Sequence, residues 1–207
     1  MLIFDIGANL GNYTKVWRDK GTIISVEASP IIFRKLRRIN RGHLNVICLN
    51  YAVCDSKKKI IGFFHCDVHT LSTSNLDWLT DTRSRFHDWP KKIHEIQVQT
   101  ITMDTLISQY GMPDLVKIDV EGSECQVLQS LTQKTPMLCF EWTAEWRKEN
   151  QLSIDHLTKI GFSKFHIQES SDEYSYIPTS FDLTSSQCKK LVIEGINKLD
   201  WGMVWAS

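Results

Sequence analysis

No stretch of this 207-residue chain approaches the roughly 20 consecutive apolar residues that a membrane span needs. Met1-Leu2-Ile3-Phe4-Asp5 is too short and too quickly acidic to read as a signal peptide, and a strand that starts immediately is expected. Whatever usually precedes a first strand is expected to be missing. Net charge is absent, with 24 basic against 24 acidic residues, which removes bulk attraction to nucleic acid or to an anionic membrane. None of the six cysteines pairs as C-x-x-C, which argues for reduced thiols and a cytoplasmic setting. A zinc set from Cys48, Cys54, Cys66 and His69 matches no common ligand spacing. Repeats, low-complexity tracts and linkers are also lacking, so a single domain over residues 1–207 is expected.

What is present is an alternation of apolar strand-like runs with helix-like segments, the pattern of a mostly parallel sheet covered on both faces. Strands are expected at 2–5, 22–26, 45–49, 115–120, 137–142, 162–167 and 202–205. Helices are expected at 12–20, 31–40, 103–110, 123–131, 152–160 and 184–197, with Gly21 and Gly161 closing two of them. Pro30 opens the second helix and Thr102 is suited to cap the third. Residues 59–65 and 95–101 suggest a hairpin-like insertion into this Rossmann-like, doubly wound, seven-stranded α/β fold. Between them the long polar stretch 69–92, with a short helix near 76–79, has the length of a functional or mobile segment.

The first strand runs into Asp5-Ile6-Gly7-Ala8-Asn9-Leu10-Gly11 and then a helix. Ligands of open α/β sheets bind at the carboxyl ends of the strands, and glycine lets the backbone approach them closely. The G-x-x-x-G spacing is not that of a dinucleotide loop, and Asp5 would repel a pyrophosphate. A ligand with an ammonium and a carboxylate and no phosphate fits better. The methionine end of S-adenosyl-L-methionine (SAM) is such a ligand. Glu27 ends the second strand, where an acid can accept two hydrogen bonds from a ribose diol. NAD carries that diol as well, so the first loop decides for SAM.

Together with Val116-Lys117-Ile118-Asp119-Val120-Glu121-Gly122-Ser123-Glu124, these motifs make the chain resemble the FkbM family of methyltransferases. The agreement also takes in residues 50–55 and 100–106, and it covers roughly residues 2–142. The resemblance implies SAM as methyl donor and O-methylation, often of a sugar or natural-product hydroxyl. It implies that Asp5, Gly7, Asn9 and Gly11 cradle the methionine part and that Glu27, with Ala28 beside it, holds the ribose. Ala52 and Val53 would lie by the adenine, and Asp119 near the transferred methyl. Family members commonly carry residues before the first strand, and this chain begins at it.

Methyl transfer needs the acceptor oxygen aligned and its proton removed. Asp119, Glu121 and His69 are the candidate catalytic residues, with His65 as a second candidate base. Ser123 could cap the helix after Gly122, and Glu124 reads as structural. Asp119 with Glu141 could hold Mg²⁺ through oxygen ligands, as acids in catechol methyltransferases do, though an ordinary hydrogen-bonding rim is the simpler reading. Lys117 is expected to snorkel outward. Trp78, Trp89, Trp142 and Trp146 could pack, or stack on a sugar ring.

The basic run Arg34, Lys35, Arg37, Arg38 and Arg41 reads as a solvated helix face, with an anionic-substrate patch as its alternative. Competing functions are an NAD-dependent oxidoreductase, a non-catalytic SAM-fold binding module and a nucleic-acid methyltransferase. Nucleic acid is disfavoured as a partner by the charge balance.

Overall fold

The computed structural model describes residues 1–55, 58–169, 173–194 and 201–207. In chain order it contains β1 (Leu2–Ile6), α1 (Asn12–Trp17), β2 (Thr22–Val26), α2 (Pro30–Ile39), β3 (Val46–Leu49), β4 (Ala52–Val53), β5 (Ile60–Cys66), α3 (Asp77–Thr80), β6 (Ile93–Ile101), α4 (Met103–Tyr110), β7 (Leu115–Ile118), α5 (Glu124–Gln129), β8 (Leu138–Thr143), α6 (Arg147–Lys159), β9 (Phe165–Glu169), α7 (Ser185–Glu194) and β10 (Trp201–Ala206). The last three positions of the helix expected at 184–197 lie outside the described residues.

Seven strands form one sheet in the order β3-β2-β1-β7-β8-β10-β9. All pairs from β3 to β8 are parallel, and β10 runs antiparallel to both of its neighbours. The order follows from composition. β1, β2, β7 and β8 are apolar on both faces and almost wholly buried, so they take the centre. Phe4, Ile6, Val116, Ile118 and Phe140 pack with α4, α5 and α6 on one side. Ile3, Ile23, Leu115, Cys139 and Trp205 pack with Tyr13 and Trp17 of α1 on the other. The chain leaves β1 in one direction and returns at β7 in the other, so a crevice opens between their carboxyl ends.

Local signals set the helix starts. Ser29 Oγ accepts from Ile32 N–H ahead of Pro30, and Thr102 Oγ1 accepts from Thr105 N–H. Ser123 makes no such cap; its hydroxyl bonds Ser74 Oγ instead, at 2.8 Å.

The insertion is a three-stranded sheet, β4-β6-β5. β5 and β6 form the expected antiparallel pair, and β4 adds to β6 in parallel. The segment 69–92 is packed rather than loose. Leu71, Trp78 and Leu79 form an apolar cluster with Cys66 and Trp146, joined at its margin by Phe64 and Phe86. Among the described residues no helix is long and apolar enough to cross a membrane, and Cys48, Cys66, Cys125, Cys139 and Cys188 are free thiols.

Candidate active site

A cavity of about 610 Å³ opens at the carboxyl ends of β1, β2, β7 and β8. That size suits a small-molecule site. Gly7, Asn9, Glu27, Ala28, Ala52, Val53, His69, Asp119 and Glu121 all line it.

Backbone strain gathers there. Gly7, Asn9 and Gly11 have φ of 75°, 48° and 88°, and Glu121 and Gly122 have 60° and 86°. Left-handed backbone at non-glycine residues is uncommon and clusters at functional sites. Gly7 is there for clearance: a Cβ would collide with the Asp119 carbonyl, so the two loops touch backbone to backbone. The strained turn at Glu121 is held from above. Thr73 Oγ1 donates to Glu121 O at 2.6 Å, and Asn75 Nδ2 donates to Gly122 O at 2.9 Å. From below, Glu124 accepts from Val120 N–H and Gly122 N–H, at 2.8 and 3.1 Å.

Glu27 is only 7% exposed, and its two carboxylate oxygens accept from Asn9 N–H at 2.9 Å and Ser29 N–H at 2.8 Å. Burial outweighs those bonds and pushes its carboxyl up to about 7. Its place at the cavity wall is therefore built by the first loop on one side and the start of α2 on the other.

Two expected positions differ. Asp5 and Gly11 do not line the cavity. Strand register puts Asp5 beside Ser25 and Lys117, and its Oδ2 accepts from Thr14 N–H and Oγ1, at 3.2 and 2.7 Å. Lys117 does not snorkel outward. It is 4% exposed, donates to Gly7 O at 3.0 Å, and stands 3.4 Å from Asp5 and 3.5 Å from Asp119. Burial alone would lower its pKa, but Asp119 and Asp5 outweigh burial and hold it above the ordinary value. Lys117 thus links the first loop to the acid at the tip of β7.

Around Asp119 the acids crowd. Burial raises the Glu121 and Glu141 carboxyls well above the usual range, and the Asp119 charge raises them further. Burial also brings Glu124 up to about 7. Oxygen atoms of Asp119, Glu124 and Glu141 lie within 4.8 Å of one another. The Glu124 carboxylate is already taken by backbone N–H groups, which leaves Asp119 and Glu141 facing the cavity. Glu141 Oε2, Asn9 Oδ1 and His69 Nδ1 are buried and make no hydrogen bond to protein.

His65 does not line the cavity; its Nδ1 lies 3.3 Å from both Ser29 Oγ and Ser72 Oγ. Of the four tryptophans, Trp89 lines the cavity, whereas Trp78, Trp142 and Trp146 are buried packing residues. Tyr13, Tyr51, Ser74 and Tyr174 line the cavity without having been singled out from the sequence. Tyr13 follows Asn12 at the start of a helix pointed at by the loop motif, and that was a usable signal. Tyr174 stacks edge-on against Tyr13 at 5.0 Å from 161 residues away, and no local pattern announces it.

A mostly parallel sheet with this switch point, a glycine turn packed backbone to backbone on the Asp119 loop, and acids at the ends of β2 and β7 fit a Rossmann-like protein of the SAM-methyltransferase class. The model of the methyltransferase FkbM domain matches residues 5–174. The chain belongs to the FkbM methyltransferase family.

Among characterised proteins it is similar to the hexuronic acid methyltransferase AglP of Haloferax volcanii, 24% identical over 134 residues. That match spans 63% of this chain and 50% of AglP, so the chain covers about half the length of this relative. Among solved structures, the fibrillarin of Aeropyrum pernix with natively bound SAM covers 100% of this chain and 65% of its own, at 11% identity and TM-score 0.48. The precorrin-6y C5,15-methyltransferase of Geobacter metallireducens covers 100% and 78%, at 11% identity and TM-score 0.46.

Proposed function

We propose that this chain transfers a methyl group from SAM to a hydroxyl of a sugar or another small polar acceptor, as a single cytoplasmic domain over residues 1–207. The observation that carries this reading is one cavity with Gly7, Asn9, Glu27, Ala52 and Val53 on its lining together with Asp119, Glu121, Glu141 and His69. The residues fit SAM. Asn9 Oδ1 and Glu141 Oε2 are buried polar atoms with no hydrogen bond to protein, and the Glu27 carboxylate is fixed by two N–H groups with lone pairs left for a diol. SAM supplies an electrophilic methyl on a positive sulfonium.

The chain's own residues do the rest. Glu27 accepts from the ribose hydroxyls, with Ala28 beside it, and Ala52 and Val53 flank the adenine. Gly7 and Asn9 hold the amino-acid end. Asp5 and Gly11 act from behind the wall: Asp5 fixes Lys117 and Thr14, and Gly11 lets the loop turn into α1. Asp119 faces the positive centre, with Lys117 Nζ 3.5 Å from its carboxylate. Glu121, whose carboxyl burial raises well above the usual range, lies on the cavity wall to hydrogen-bond the acceptor. His69 takes the acceptor's hydroxyl proton at its free Nδ1. AglP supports a sugar as the acceptor, and Trp89 offers a flat face for one. Free thiols support the cytoplasm.

The first test is calorimetric titration with S-adenosylhomocysteine, followed by a screen of sugar acceptors. Micromolar binding is expected, and Glu27→Ala should weaken it. His69→Ala should lower kcat by about 100-fold or more and leave that binding intact. Failure of the folded protein to bind S-adenosylhomocysteine would overturn the reading.

A further inference from the structure

Helix α2 buries Ile32 and Leu36, continued by Asn40 just past its end, and exposes most of the rest of its surface. The exposed side carries Arg34, Lys35, Arg37 and Arg38, and Arg41 follows just past the helix. No Asp or Glu occurs between Ala28 and Cys54. Among the described residues none of the five cations pairs with a carboxylate. An ordinary solvated helix face interleaves both signs. Here a chain of zero net charge concentrates one sign on a single surface.

The same surface exposes aliphatic side chains. Ile31 lies one turn from Arg34 and Lys35 and two turns from Arg38, and Ile39 lies one turn from Lys35. Leu44, in the turn to β3, is 99% exposed, and Ile47 faces out from β3 at the sheet edge. Single exposed aliphatics are common; four of them set among five unpaired cations are a composition of interfaces. Cations that reach headgroups and aliphatics that enter the acyl boundary are what an anionic bilayer surface recognises. Among the described residues of α2, the turn at Leu44 and β3, no Phe, Tyr or Trp is exposed for stacking on bases, which disfavours single-stranded nucleic acid on this face.

We propose that α2, the turn at Leu44 and the β3 edge dock this protein on an anionic lipid surface. The cavity then lies close to the bilayer, because α2 starts two residues after Ala28 on the cavity wall. The proposal stands apart from the methyl-transfer reading.

The test is sedimentation of the full chain with vesicles of phosphatidylcholine, alone or mixed with phosphatidylglycerol. The protein is expected to pellet only with the mixed vesicles and to be released by high salt. Arg34→Ala with Arg38→Ala should lower the vesicle partition coefficient about fivefold per charge, or about 25-fold together. Leu44→Asp should also lower it. The far-ultraviolet circular dichroism and Tm of both variants should stay at the wild-type values, which separates lost docking from lost folding. Equal pelleting with both vesicle types, pelleting with neither, or unchanged partition of the variants would overturn the proposal. So would salt-sensitive RNA binding without vesicle binding, or a dimer that covers Leu44.

Discussion

Replacing Glu27 with Gln tests the ribose assignment at the level of a single proton. In the free protein burial brings this carboxyl up to about 7 from an ordinary 4.5. Ribose hydroxyls donate, so they favour the ionised form, and binding should release a proton wherever the free protein still holds one. Between about pH 8 and about pH 6 the ionised fraction falls roughly tenfold, and affinity should fall with it. The crowded acids around Asp119 also titrate, so the clean probe is 5′-methylthioadenosine. It keeps the diol and the adenine and lacks the amino-acid tail. Isothermal calorimetry in two buffers of different ionisation enthalpy reads both the affinity and the proton. The Glu27→Gln variant keeps one acceptor for Asn9 N–H or Ser29 N–H and turns an amide NH₂ toward the other. Its affinity at about pH 8 should fall by about 10- to 100-fold, the worth of a charge-assisted hydrogen bond of about 1.5–3 kcal/mol. Its pH dependence for the fragment should vanish. A wild-type affinity that is flat with pH, or a folded variant that binds as tightly as wild type, would refute the reasoning.

Three further outcomes follow from the same groups. Lys117→Met leaves Asp5 and Asp119 without their buried cation and should destabilise the fold by about 3–5 kcal/mol in urea titration. Thermal stability should rise as the pH is lowered from about 8 to about 6. A carboxyl raised in the folded state contributes stability that is full below its unfolded pKa and is lost as pH climbs through the folded one. Glu27 alone contributes about 1.4 kcal/mol over that interval, or roughly 3 °C in Tm, and Glu121, Glu124 and Glu141 shift the same way. Adding EDTA should leave S-adenosylhomocysteine binding and methyl transfer unchanged, because Lys117 already supplies a cation beside Asp119; loss of either would mean that Asp119 and Glu141 hold Mg²⁺.

The order of strands and helices was legible because the central strands are apolar on both faces and the turns carry their own punctuation, as at Pro30, Thr102 and Gly161. The lining residues Gly7, Glu27 and Asp119 were legible because each sits at a strand end, where chain order alone fixes the location. Lys117 was misjudged for the opposite reason. Whether a strand lysine turns outward depends on its neighbour across the sheet, and that neighbour, Asp5, is 112 positions earlier. The same register hides Asp5 from the cavity. The tryptophans divide likewise: Trp78 and Trp146 meet only because the insertion folds down onto the start of α6, and their rings stack at 6.1 Å.

The contacts from Thr73, Ser74 and Asn75 to the Glu121–Ser123 turn bear on how acceptor preference could be re-engineered. The overlying segment is the natural target for grafting a relative's loop, since it borders the cavity. Yet Thr73 and Asn75 also tie down the carbonyls of a turn held at positive φ, and Trp78 fills the space that only Gly122 leaves open. A transplanted loop without these three side chains would unseat the acids before it met a new substrate. Chimeras should therefore keep Thr73, Asn75 and Trp78 and begin their variation after Thr80.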